Sequence, residues 1–187
     1  MKFLMIVVLC LAPVIGGAAE VVLATAGKAR CAIYAPPEMM APVTAARPTA
    51  AEQQHNRLLA SVNDLALYLG KLAGGPVPVY TRPPAKDEKA LPILLGSYAV
   101  AAFGPYTGKT DFQQSFRLVV SRKGVGIQGE TDESASYGVY EMLDRLGCRW
   151  YLPGELGEVI PSRRSLSLPT MDLRTRPGTV TRHIWYC

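Results

Sequence analysis

The chain has 187 residues, with 20 Lys and Arg against 15 Asp and Glu and a formal net charge of +5. Hydrophobic residues make up 49% and charged residues 19%, an ordinary globular balance that excludes a disordered chain. The length suits one domain and excludes a complete (β/α)₈ barrel, which alone takes ~250 residues.

Met1 and Lys2 put positive charge ahead of an apolar run over residues 3–15, and Gly17-Ala18-Ala19 follows with small side chains. That order predicts a secretory signal peptide over residues 1–19, cleaved after Ala19. The run is shorter than the ~20 apolar residues a bilayer span needs, so no stable membrane insertion is expected after cleavage. The mature chain is expected to be exported to the periplasm, the cell surface or the medium.

Residues 21–24 and 32–34 read as short strands, and the Pro- and Ala-rich stretch 36–48 as an irregular connection. Thr49-Ala50-Ala51-Glu52 spells a capping box, in which the hydroxyl takes an orphan amide and the Glu reaches back. It opens a helix predicted over 50–72, with Leu58, Leu59, Val62, Leu65, Ala66, Leu69 and Leu72 on one face. Lys71 and Gly74-Gly75 close it.

Residues 77–80 and 91–96 are the next predicted strands. Phe116–Ser121 alternates, Arg122-Lys123-Gly124 turns it, and Val125 and Ile127 alternate back, which predicts a hairpin. Thr131 or Asp132 caps a second helix that buries Ala135, Val139, Met142, Leu143 and Leu146, and Gly147 ends it. Residues 149–152 and 158–160 are further short strands. The expected fold class is α+β: one mixed, mostly antiparallel sheet with two helices packed on one face.

Gly124, Gly126 and Gly129 match the G-x-G-x-x-G spacing of dinucleotide-binding turns. The context argues against that use. Polar Ser121-Arg122-Lys123 breaks the strand ahead of Gly124, and Glu130, Asp132 and Glu133 put three negative charges where phosphates would sit. No nucleotide or other cofactor is expected. Glycoside hydrolysis needs two carboxylates flanking the scissile bond. The near pairs are Asp87/Glu88, Asp132/Glu133, Glu141/Asp144 and Glu155/Glu158. Asp87/Glu88 lies in a polar loop, Asp132/Glu133 in a first helical turn, and Glu141/Asp144 on a solvent side. All read as solvated or capping acids, so no catalytic residue is assigned.

Two histidines, His55 and His183, with no H-E-x-x-H spacing, leave no expected metal site. Cys31, Cys148 and Cys187 survive cleavage, an odd number that leaves at least one thiol unpaired; Cys148 reads as a buried free thiol. Basic residues are scattered, with local concentrations at Arg163-Arg164 and Arg174/Arg176. Nucleic acid is not an expected partner.

The most specific stretch is Tyr137-Gly-Val-Tyr-Glu-Met-Leu-Asp-Arg-Leu-Gly147-Cys-Arg-Trp-Tyr151-Leu-Pro-Gly154-Glu-Leu-Gly-Glu-Val-Ile-Pro161. It resembles the N-terminal domain that precedes the barrel in family-20 β-hexosaminidases and family-67 α-glucuronidases, and exported bacterial proteins built the same way. The upstream order agrees: Leu69-Gly-Lys-Leu-Ala-Gly-Gly75, Val77-Pro-Val-Tyr80, Ile93-Leu-Leu-Gly96, then the 116–129 hairpin. The likeness covers residues 21–169.

The resemblance implies a non-catalytic domain over 20–169 in a secreted glycoside hydrolase, engaging carbohydrate through a barrel downstream. It implies that 170–187 is a linker and a possible first barrel strand near His183-Ile-Trp-Tyr-Cys187, cut short. Arg182 matches the position of a family-20 Arg that contacts sugar hydroxyls, although His183 stands where a Gly usually follows. Alone, the chain is then expected to be inactive. Trp150 and Tyr151 are expected to fill core or interface, with a sugar platform as the alternative use. The alternative for the whole chain is a free-standing carbohydrate-binding or surface-interaction module. The segment after about Leu173 is expected to dock poorly, so that truncation at Pro169 leaves stability unchanged.

Overall fold

Alternation along one strand, Cys31 to Ala35, separates the two layers of the core. Cys31, Ile33 and Ala35 join the larger apolar cluster, while Ala32 and Tyr34 join a smaller one on the opposite side. The computed structural model describes residues 19–163 and 165–175. In chain order the first elements are β1 (Glu20–Thr25), β2 (Lys28–Ala29), β3 (Cys31–Tyr34), α1 (Pro37–Met40), α2 (Ala50–Ala73), β4 (Val79–Tyr80) and β5 (Leu91–Leu95). Then come α3 (Gly96–Phe103), β6 (Phe116–Ser121), β7 (Gly124–Gly129) and α4 (Asp132–Arg145). The last are β8 (Arg149–Trp150), a 3-10 turn (Glu155–Gly157), β9 (Glu158–Val159), β10 (Leu166–Pro169) and β11 (Met171–Thr175).

The main sheet has six strands in the order β11-β6-β7-β5-β3-β4. Antiparallel β10-β1-β2 and the β8-β9 hairpin stand beside it. The α+β class and the mixed sheet are as expected. Antiparallel ladders prevail over the described residues taken together, but within the main sheet three of the five pairings are parallel. The reason is connectivity: α2 carries the chain from β3 back to the start of β4, and such a crossover returns the next strand in the same direction.

Both long helices lie on one face, as the apolar stripes require. Leu65, Leu69, Val139 and Leu143 are all at most 1% exposed. The helices run parallel, tied by Arg57 to Glu133 at 2.7 Å and by Tyr140 to Asp64 at 2.6 Å. Gly138 permits the close approach of α4 to the sheet, since a Cβ there would sit 2.8 Å from Ile127 Cγ2. Thr49 and Glu52 form the expected capping box, and Gly74 closes α2 at φ 75°. Thr131 caps α4, with Ser134 reaching back to the cap amide.

β2, α1 and β10 are additions to the sequence reading, and two larger departures bear on the fold. The first is α3, which packs Ala99 with Ala32, Tyr34 and Leu94 on the face away from the long helices. Its N-cap, Leu95, makes no side-chain cap bond, so the start signal that marked α2 and α4 is absent. The second is β11. It pairs with β6 from Met171↔Val120 to Thr175↔Phe116, and Arg117 grips Asp172 at 2.8 and 3.0 Å. The domain therefore runs through Thr175 rather than ending at Pro169, and residues 171–175 are docked. Residues 1–18 of the expected signal peptide, and Arg182, His183 and Cys187, lie outside the described residues.

Candidate functional site

Helices that leave successive strands toward opposite faces open a crevice at the strands' carboxyl ends. Here α2, after β3, covers one face, and α3, after β5, covers the other. Between them lies a cleft of about 310 Å³. Met39, Leu58 and Ile127 contribute apolar surface, while Glu38, Ser97 and Asp132 contribute polar groups. The three segments that meet there follow β3, β5 and β7. Parallel pairing alone brings them together.

The carboxylates at this cleft are not all free. Glu130 accepts from the Thr110 amide and hydroxyl, each at 2.6 Å, and from the Ser115 amide at 2.9 Å. Burial works against its ionisation, but the contacts from Thr110 and Ser115 outweigh it and bring the carboxyl down to about 2. Asp132 accepts from His55 Nδ1 at 3.0 Å, and His55 Nε2 faces the Ala41 carbonyl at 2.8 Å. Gln128 donates from Nε2 to the Gly104 carbonyl at 2.9 Å, while its buried Oε1 has no partner among the described residues.

A second constellation is the stretch 137–161. Gly147, at φ 98°, turns the chain out of α4 into the β8–β9 hairpin. Arg149 locks the turn by donating to the Asp144 carbonyl at 2.6 Å and pairing with its carboxylate at 2.7 Å. Trp150 stands edge-on to Tyr68 and Tyr140, with ring centroids 5.0 and 5.8 Å away. Its Nε1 donates to the Tyr68 hydroxyl at 3.1 Å, and that hydroxyl donates to Glu158, which Lys71 also reaches at 3.2 Å. Tyr68 and Lys71 hold the Glu158 carboxyl below the usual carboxylate range. These contacts tie the block together, yet its tip is bare: Tyr151 is 72% exposed, Leu152 65% and Leu156 101%.

The glycine spacing at Gly124, Gly126 and Gly129 falls on β7. A Cβ on Gly126 would meet the Phe103 ring at 2.4 Å, so that glycine admits α3 onto the sheet. Of the sequence's carboxylate pairs, Glu88 is held by Arg82 at 3.1 and 3.2 Å, and Arg82 with the Ala85 amide brings it down to about 2. Glu133 pairs with Arg57, Glu141 with Arg145 and Asp144 with Arg149. Cys31 and Cys148 are free and buried, and burial pushes the Cys31 thiol up to about 11. Among the described residues no group of three or more His, Cys, Asp or Glu could hold a metal ion. None of their helices is long and apolar enough to cross a membrane.

The cleft escaped sequence reasoning because its residues are scattered over nearly a hundred positions. The usable signal was small: Pro36-Pro37-Glu38, Gly96-Ser97 and Gly129-Glu130-Thr131-Asp132 each stand just past an apolar strand. A scan against protein-family models and a search of curated proteins each found no match to this chain.

Proposed function

We propose that this chain is the non-catalytic α+β domain of an exported glycoside hydrolase that breaks down polysaccharide or glycan, its carboxylate chemistry residing in a separate catalytic barrel. The supporting observation is the stretch 137–161, whose resemblance suggested the reading. Glu141, Asp144 and Glu158 are tied into the hairpin and the helices, while its tip turns apolar side chains outward. A general acid must hold a proton near neutral pH. Glu158, gripped by a hydroxyl and an ammonium that both favour its charged form, is unsuited to that part. Tyr151, Leu152 and Leu156 offer instead a surface for a neighbouring domain to cover. Arg182 keeps its proposed sugar contact only if that neighbour supplies the rest of the site.

The exposure of Tyr151 favours a second reading, a carbohydrate-binding module that stacks a sugar ring on this tip. One set of assays treats both. The mature chain should show no turnover of aryl β-N-acetylglucosaminides or of α-glucuronide-tipped xylo-oligosaccharides. Hydrolysis that disappears in Glu155→Gln or Glu158→Gln would overturn the non-catalytic reading. Retardation on glycan-containing gels that is lost in Tyr151→Ala would favour the module.

A further inference from the structure

His55 stands between two oxygens. Nε2 lies 2.8 Å from the Ala41 carbonyl, which can only accept, so this nitrogen must carry hydrogen. Nδ1 lies 3.0 Å from Asp132 Oδ2, which as a carboxylate also only accepts. The ring satisfies both neighbours only as the imidazolium. Its side chain is 19% exposed, which limits how well water could replace either contact.

Of the charged groups around it, Asp132 favours that form. From α4 come Asp132 and Glu133, the latter paired with Arg57 at 2.7 Å. Glu38 comes from α1, on the same cleft as Asp132. On its own helix, Glu52 is engaged in the Thr49 capping box and Arg57 is directed to Glu133. Ala41 directly follows α1, whose Glu38 and Met39 wall the cleft. The ring thus joins one wall of the cleft to another. The next residue, Asn56, pins Val43 by bonds of 3.0 and 2.9 Å that do not titrate.

We infer that His55 is a proton-operated clasp that fastens the α1 wall of the cleft to the first turn of α4 in acid and releases it in alkali. On release one proton passes to water, and the neutral ring keeps a single N–H for two acceptors. Either the Ala41 or the Asp132 bond is then lost, together with the ion pair. The Ala41 carbonyl raises the affinity of the ring for its proton, desolvation opposes this, and Asp132 adds to it. The net direction is upward, so the contribution is complete below the unfolded value of ~6.5 and is lost as pH rises through the higher folded value.

The test is an NMR titration of the mature chain, in which only His55 and His183 contribute imidazole signals, assigned with His55→Gln. The His55 midpoint should lie above ~6.5 and fall toward it in Asp132→Asn. Amide exchange at residues 38–41, corrected for base catalysis, should accelerate through that same midpoint. The step should vanish in His55→Gln, whereas Asn56→Ala should raise exchange while leaving the step in place. A midpoint at or below 6.5, exchange without a step, or a step that survives His55→Gln would each overturn the clasp.

Discussion

Glu130 shows how a carboxylate at the mouth of a cleft serves as a tie. Its oxygens receive two backbone amides and a hydroxyl from the segment between α3 and β6, where no helix or strand would otherwise satisfy those donors. The folded carboxyl sits at about 2, below its ordinary value of 4.5. Its contribution is therefore present above the unfolded value and disappears as pH falls from about 4.5 toward 2. Glu130→Gln should lower the melting temperature at pH 7 and converge on the parent near pH 2. A constant gap from pH 7 to pH 2 would mean that the charge contributes nothing. The same residue explains why single acids mislead in a sequence. Glu130 was legible as negative charge near Gly129, but not as the anchor of a loop centred twenty positions earlier.

Elements with local punctuation were legible. The Thr49–Glu52 box and Gly74 bracket α2 because both act within a few residues of the helix end. The 116–129 hairpin was legible for the same reason. What escaped was structure defined by distant partners. β11 is a strand because β6 presents a free edge 55 residues upstream, where Arg117 waits for Asp172. The side chains of Met171 and Leu173 pack against the larger core from that edge. A chain ending at Pro169 should accordingly be less stable than one ending at Thr175, by about 1–3 kcal/mol from partial burial of two apolar side chains. Thermal unfolding of the two truncations decides this, and equal melting temperatures would show the strand to be idle.

At the scale of the molecule, one sheet is shared by two apolar layers. Tyr34 and Leu94 face α3, while Ile33 and Ile93 of the same strands face α2 and α4. Neither layer can be exposed without separating strands the other needs, so unfolding should be cooperative. Leu69→Ala, at a side chain only 1% exposed, should cost about 2–5 kcal/mol. Urea curves followed by indole fluorescence and by far-UV dichroism should shift together. Separate midpoints would reveal a layer that melts alone. The two-helix face was readable from apolar stripes, but the cleft was not: it exists only where three parallel strands end side by side.

The pairing of β1 with β10 has a consequence for how such a chain comes into being. Glu20 lies against Pro169 and Val21 against Leu168, so the first strand of the fold is completed by nearly the last. A chain made amino end first leaves the β10 side of β1 unpaired until roughly 150 more residues have arrived. At ~5–20 residues per second that is an interval of about 8–30 s. Closing so distant a contact is slow by its nature. During that wait the first strand keeps one edge open, and an unpaired edge is a template for the wrong partner.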